Sequence, residues 1–160
     1  MSRQDKLEHT TKDEALLLDT QLDKYYFERY VLDVAIATLE KGGVASKPKT
    51  REFLPPIDSW SFPKHPKQTA ILPPDEDLVE EIKKFIAANK VYLEEADCWL
   101  GTWINPHTHH YYLDITTSCD NLDKARAIAQ ETSLREGRKI VALYNSKRNQ
   151  TVYLWDDVYE

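Results

Sequence analysis

Apolar side chains between residues 12 and 41 recur in alternating steps of three and four: Ala15, Leu18, Leu22, Tyr25, Leu32, Ile36 and Leu39, with Arg29 in the one remaining place. That spacing predicts one long α-helix with a continuous seam along one side. Thr10 or Thr11 suits the N-cap, and Asp13 and Glu14 fall in the first turn, where the helix dipole favours anions. Gly42-Gly43 supplies the stop. Tyr26, Tyr30, Val31 and Ala35 broaden the apolar surface beyond a two-position stripe. Two readings stay open. Either the helix packs on its own domain, or Leu18, Leu22, Tyr25, Leu32 and Ile36 meet a protein partner or a second copy of the chain. Arg29 requires an acid such as Glu28 or Asp33, or an edge position where its head reaches water.

After residue 74 the rhythm changes. Asp75, Glu76 and Asp77 follow Pro74 at the positive end of a second helix, whose apolar face is Leu78, Ile82, Phe85 and Ile86 and whose later residues include Lys83, Lys84 and Lys90. A strand is predicted from Cys98 to Ile104, then a polar turn, then a strand from His110 to Thr117. In that second strand Tyr111, Leu113 and Ile115 alternate with Tyr112, Asp114 and Thr116, the period of a half-buried antiparallel strand. Ser118 or Asp120 caps a helix over Asn121 to Glu136 with Leu122, Ala125, Ile128 and Ala129 inward, and Gly137 stops it. Strands over Lys139–Tyr144 and Thr151–Trp155 flank a turn at 145–149. The order α-β-β-α-β-β predicts an α+β fold, a small and mainly antiparallel sheet with helices on one face.

The stretch between these regions, residues 44–74, holds seven of the eight prolines. Proline removes a backbone donor and fixes φ, which predicts an extended strap with neither helix nor central strand. Five basic residues (Lys47, Lys49, Arg51, Lys64, Lys67) stand against Glu52 and Asp58, a local charge of +3. A solvated spacer rarely carries rings such as Phe53, Trp60 and Phe62, so these are expected to dock on the folded domain or on a partner. The expected organisation is a helical segment 1–43, a proline-rich strap or linker 44–74, and a small α+β domain 75–160.

Charge narrows the function. A net charge of −6 argues against a general nucleic-acid binder, which gains affinity by neutralising phosphates. The two cysteines, Cys98 and Cys119, form no CxxC pair or metal-spaced set, which points to buried thiols in a reducing compartment. The opening MSRQDKLEHTTKDE has no apolar core behind a basic start, and no apolar run nears the ~18 residues of a membrane span. The cytoplasm is the expected location, with no membrane association.

One cluster carries possible chemistry. His107, His109 and His110 lie together in NPHTHHYYLD, and on an extended chain His107 and His109 would point the same way and offer two imidazoles to a metal. A third ligand would come from Asp114, His65 or an acid elsewhere. HxHxDH fails because Tyr111 and Tyr112 occupy the Asp and His places, and a paired HxT motif lacks its second copy. A polar hairpin turn with solvated imidazoles is the favoured reading, and no catalytic metal is expected. With four glycines there is no GxxxxGK[ST] or GxGxxG loop, no GxSxG elbow exists, and Glu94-Glu95 and Asp156-Asp157 read as surface pairs. Strand alternation lets Trp99, Trp103, Tyr112, Tyr153 and Trp155 share a sheet face, which suits a protein surface or core and, as an alternative, base stacking.

The segment WLGTWINPHTHHYYLDITTSCDNLDKARAIAQE…KIVALYN resembles a small module of uncharacterised phage and mobile-element proteins, through Trp103, Tyr112, Leu113, Asp114, Ala125 and Ala129. That resemblance spans residues 99–144 and implies an accessory protein without a reaction. The expectation is a non-enzymatic protein that works through contacts with a protein partner or with a second copy of itself, with no cofactor and no catalytic residue. Its interaction candidates are Leu18, Leu22, Tyr25, Leu32, Ile36, Phe53, Trp60, Phe62, Trp99 and Trp103. The alternatives are a small His-dependent hydrolase or nuclease using His107, His109 and His110, and a single-strand binder using strand aromatics with Lys47, Lys49, Lys64 and Lys67.

Overall fold

The computed structural model describes residues 11–156. Thr10, one of the two expected caps, and Asp157 lie outside the described residues. Helix α1 runs Lys12–Lys41, and Thr11 caps it in a reciprocal box with Glu14. Gly42 ends it at φ 83, a left-handed position that glycine occupies without strain, and its N–H donates to Thr38 O. Strands β1 (Gly43–Lys47), β2 (Glu52–Phe53), β3 (Trp60–Pro63) and β4 (Ala70–Leu72) follow. Then come α2 (Leu78–Ala88), the single turn α3 (Lys90–Leu93), β5 (Trp99–Ile104), β6 (Tyr111–Cys119), α4 (Leu122–Glu136), β7 (Ala142–Asn145) and β8 (Gln150–Tyr153).

All eight strands join one antiparallel sheet in the order β2-β1-β5-β6-β3-β7-β8, with β4 also pairing to β6. β6 is the spine. Its first half pairs β4, its last four residues pair β3, and β5 runs along its other side. Alternation along β6 then divides the molecule. Leu113 and Ile115 face a core with Leu100, Tyr30, Val31, Val34, Ile82 and Phe85, covered by α1 and α2. Phe62 sits opposite Thr117, on that same face, and joins Trp60, Leu143, Ala125 and Ala129 in a second cluster beneath α4. The three long helices therefore share one face, as an α+β sequence of this pattern predicts.

Tyr112, Asp114 and Thr116 point to the opposite face, with Trp103, Gly101 and Trp99 beside them on β5. On a flat sheet β1 and β7 would stand about 19 Å apart, four strand spacings. Val44 and Ala45 of β1 nevertheless line one hollow together with Ala142 and Tyr144 of β7. The sheet is curled around that hollow. At the far end His107, in the β5–β6 turn, meets the Tyr153 ring of β8 at 5.2 Å.

The strap expectation does not hold. Residues 44–74 supply most of β1 and all of β2, β3 and β4, and β3 lies between β6 and β7 within the sheet. Proline limits the length of these strands without preventing them. Each has two to five residues, and Pro48, Pro55, Pro56, Pro73 and Pro74 fall between strands while Pro63 is the last residue of β3. Smaller differences follow from capping. Asp77 proves to be the N-cap of α2, accepting from Val79 and Glu80, so Asp75 and Glu76 precede the helix. β6 extends to Cys119, and Asn121 rather than Ser118 or Asp120 caps α4 by accepting from Lys124 N–H.

Gly101 shows how closely the inner face is fitted. A Cβ at this position would lie 1.8 Å from Thr116 Oγ1, so the threonine side chain occupies the space that any other residue would fill. Gly101→Ala is expected to cost about 1–3 kcal/mol by overpacking. Adding Thr116→Ala should recover part of that loss, read as a coupling energy in urea melts of the two single variants and the double variant. Independent, additive losses would show that Thr116 is not the obstacle.

Candidate functional site

Two surfaces stand out: the hollow inside the curled sheet and the outer side of α1. The hollow has a volume of about 470 Å³. Its floor is β5 and β6 (Gly101, Trp103, Asp114, Thr116), and its sides are β1, Ser61 of β3 and Tyr144 of β7. The 54–59 loop closes one end through Leu54, Pro56, Ile57 and Ser59. That loop is pinned by Asp58, whose two carboxylate oxygens accept from Arg148 Nε at 2.8 Å and Nη2 at 2.9 Å, with Asn145 donating at 2.8 Å.

Asp114 is the chemically unusual residue of the hollow. It is 9% exposed on the central strand, where a carboxylate is rarely found without a cation. Thr69 Oγ1 donates to its Oδ1 at 2.6 Å, the one hydrogen bond made to this carboxylate among the described residues. Burial pushes its pKa up to about 6, while the Thr69 hydroxyl and the more distant Arg138 charge pull the other way. The sequence presented Asp114 as the polar partner in a strand alternation, a matching residue of the resemblance and one candidate third ligand beside His107 and His109, but not as a buried acid in a hollow. The available signal was an Asp between Leu113 and Ile115 opposite the glycine of WLGTW.

On α1 the structure separates two faces that the sequence merged. Tyr30, Val31, Val34, Ala35 and Thr38 are buried against the sheet and α2. The Thr38 hydroxyl is hydrogen-bonded to that of Thr102 on β5, and Tyr30 Oη to Ser46 Oγ at 2.6 Å. The three-four seam points elsewhere. Leu18 is 58% exposed, Leu22 52%, Tyr25 60%, Leu32 49%, Ile36 43% and Leu39 58%, and Arg29 between them is exposed. Leu16, Leu17 and Tyr26 add to this surface, and every residue from 12 to 26 is exposed. Asp23 ties that stretch to the body: Arg51 Nη2 donates to its Oδ1 at 2.6 Å and to its backbone oxygen at 3.3 Å.

The remaining expected residues fall into several settings. Trp60 and Phe62 are buried under α4, which corrects their standing as partner contacts: they dock on the chain itself. Phe53 packs on Tyr30 with centroids 5.9 Å apart and keeps part of its ring exposed. Trp99 and Trp103 lie on the inner face with Tyr112, Lys47 sits over the Trp99 ring at 4.8 Å, and Trp103 meets Tyr112 edge-on at 5.0 Å. Trp155 departs from that face, packing beside the second core cluster and donating from Nε1 to Ile140 O.

The histidines do not lie on an extended chain. Residues 105–109 form a turn, with His109 N–H donating to Asn105 O at 2.7 Å and His109 itself at φ 63. The alternation that would align His107 with His109 is therefore absent, and both are exposed. A different group converges instead. His65, Glu95 and Cys98 bring one donor atom each within 4.8 Å of one another. Lys64 occupies this cluster's charge, donating to Glu95 at 2.6 Å and Asp97 at 2.9 Å, which holds both carboxyls below and its own amine above their usual ranges. Burial pushes the Cys98 thiol up to about 11, so it is neither a ready thiolate nucleophile nor a ready metal ligand. Lys64, one of four lysines expected to meet phosphates, is committed to this network.

The buried carboxylate generates a pH prediction. The folded-state pKa of Asp114, about 6, lies above the unfolded value near 3.8, so folding is favoured by its proton. That contribution is complete below pH 3.8 and lost as pH rises through 6. Relative to Asp114→Asn, wild-type stability should fall by roughly 2–3 kcal/mol between pH 3.5 and 7.5. Denaturant melts of both proteins across this range cancel the titration of the other carboxylates. A constant difference would mean that Asp114 is not buried in its charged form.

No family model, curated protein or solved structure matches the chain.

Proposed function

We propose that the chain is a non-enzymatic accessory protein that works through protein contacts, assembled by α1 into a two-fold dimer. The exposed seam is the observation that carries this reading. Its large apolar side chains, from Leu18 to Leu39, are each 43–60% exposed along one side of the helix, a contiguous apolar surface of the kind that marks an interaction site. A stretch of fifteen helical residues (12–26), exposed throughout, is also marginal in water without tertiary support. A neighbouring helix would supply that support.

The positions favour a second copy. The eight seam places are symmetric about residue 27, so an antiparallel pair aligns Leu18 with Ile36 of the second copy, Leu22 with its Leu32, Tyr25 with its Arg29, and Ala15 with its Leu39. Each projecting N-terminal half then covers the outer side of the other copy's C-terminal half. The flanks, Glu14, Asp19, Glu28, Asp33 and Glu40, are acidic and oppose self-pairing. Like-charge contacts cost only about 0.2–0.5 kcal/mol each, against ~1.5–3 kcal/mol for fully burying a leucine, so burial wins. The acidic flanks support one second reading, an amphipathic partner helix with basic edges. The likeness of residues 99–144 to mobile-element modules fits either assembly and adds no reaction.

Leu22→Asp/Leu32→Asp is expected to convert the dimer into a monomer that keeps its circular dichroism, because neither side chain belongs to the core. Light scattering on both proteins is the measurement. A wild type that stays monomeric at hundreds of micromolar would sink the two-fold dimer. Binding of a Leu/Lys amphipathic helix by that monomer would then select the second reading. Unfolding of the variant would show that the seam stabilises the fold itself.

A further inference from the structure

The hollow inside the sheet is separate from the α1 seam, and nothing in the contact function uses it. Its volume, about 470 Å³, lies within the ~300–1,000 Å³ range of small-molecule sites. The walls combine apolar surface with a few convergent polar groups. Ser61 and Thr116 offer hydroxyls that can accept as well as donate, and Asp114 offers a carboxylate oxygen, Oδ2, that receives no hydrogen bond from the described residues.

Two acids, one of them buried, and one exposed base line the space. Asp114 and Glu40 line it, and the end of α1 at Glu40–Lys41 presents the negative pole of a thirty-residue helix. Lys41 is the single basic residue of the lining and is itself exposed. Arg138 lines a second, small recess together with Asp114, on the other side of this carboxylate, and donates to Lys67 O at 3.3 Å. Among the described residues Asp114 makes no ion pair, and Thr69 with the more distant Arg138 charge offsets only part of the cost of burying it. Two aromatic residues, Trp103 and Tyr144, face the same space. Carboxylate and aromatic faces together recognise organic cations.

We propose that this hollow binds a small organic cation, a primary amine or amidine on a compact aromatic or apolar body, whose donors are held by Asp114 while its body lies against Trp103 and Tyr144. A neutral alcohol of the same shape keeps the apolar contacts and loses the charge-assisted hydrogen bond. An acid of that shape meets Asp114 and Glu40 with like charge. Discrimination by charge at constant shape is thus the signature of the site.

The test uses the full chain at pH 7.5 with tryptamine, tryptophol and indole-3-acetate as shape-matched probes, and benzamidine with benzamide as a second pair. Calorimetry should detect tryptamine or benzamidine in the millimolar range or tighter, with at least tenfold weaker binding of the neutral analogue and none of the acid. Asp114→Asn should erase the preference for the cation. Should that variant fail to fold, Ala45→Leu, which fills the hollow and keeps the carboxylate, should abolish binding of the same probes. Equal affinity across the charge series, cation binding that survives either folded variant, or no binding of either cation at 5 mM would each overturn the proposal.

Discussion

The alternation of β6 is the constraint on which the rest of the molecule depends. A strand side chain cannot choose its face independently of its neighbours, so burying Leu113 and Ile115 beneath α1 and α2 commits Tyr112, Asp114 and Thr116 to the other side. Among the described residues, every helix of more than one turn lies on the first side, and none covers the second. Curling, rather than a further layer, shields that second face. β7 and β8 turn back toward the β5–β6 hairpin, and the space between them is the hollow. A one-residue slip of β6 would bring a carboxylate into the core and two aliphatic side chains into solvent.

α1 meets a similar constraint through a different period. Steps of three and four place two apolar stripes on one cylinder, and the sheet can accept only one of them. It takes Tyr30, Val31, Val34 and Thr38, which combine close fit with hydroxyls bonded to Ser46 and Thr102. The other stripe, rich in leucine, remains outside. This division explains why both readings of the helix looked sound: it packs on its own domain and also retains an exposed apolar side. A leucine exposed by half forgoes on the order of 1 kcal/mol of burial, so a whole stripe left wet amounts to a large unrealised stabilisation.

The ends of the elements were legible wherever a single residue dictates local geometry. Thr11, Gly42 and Gly137 do so through caps, and the Tyr111–Thr116 alternation does so through pleat. Strands inside the proline-rich segment were not legible, because two to five residues carry too little periodicity to compete with seven prolines. Their pairing comes from β5 and β6, distant in sequence. The hollow was hidden for a related reason. Asp114, Ser61, Tyr144 and Glu40 belong to four separate segments, and only the register brings them together. In the histidine triplet adjacency in sequence does not become convergence: the left-handed His109 turns the chain and leaves His107 and His109 exposed, as the solvated-turn reading has it. The group that does converge, His65 with Glu95 and Cys98, is thirty residues and more apart in sequence.

The two candidate surfaces lie on opposite sides of the layer formed by β1 and β5. A contact on the seam can change affinity in the hollow only by favouring one of two states that differ at both places. The junction between them argues for one state. Thr38 of α1 is bonded to Thr102, Val44 N–H also donates to the Thr102 hydroxyl at 3.2 Å, and Tyr30 fixes Ser46 on β1. Two buried hydroxyl–hydroxyl contacts, each costly to break in a dry interior, and a third, part-buried bond hold helix and strands in one register. The proposed assembly through α1 and the proposed binding in the hollow would therefore be separable on a single rigid frame. Substitutions at the two sites should add, since they share no partner and no movable element.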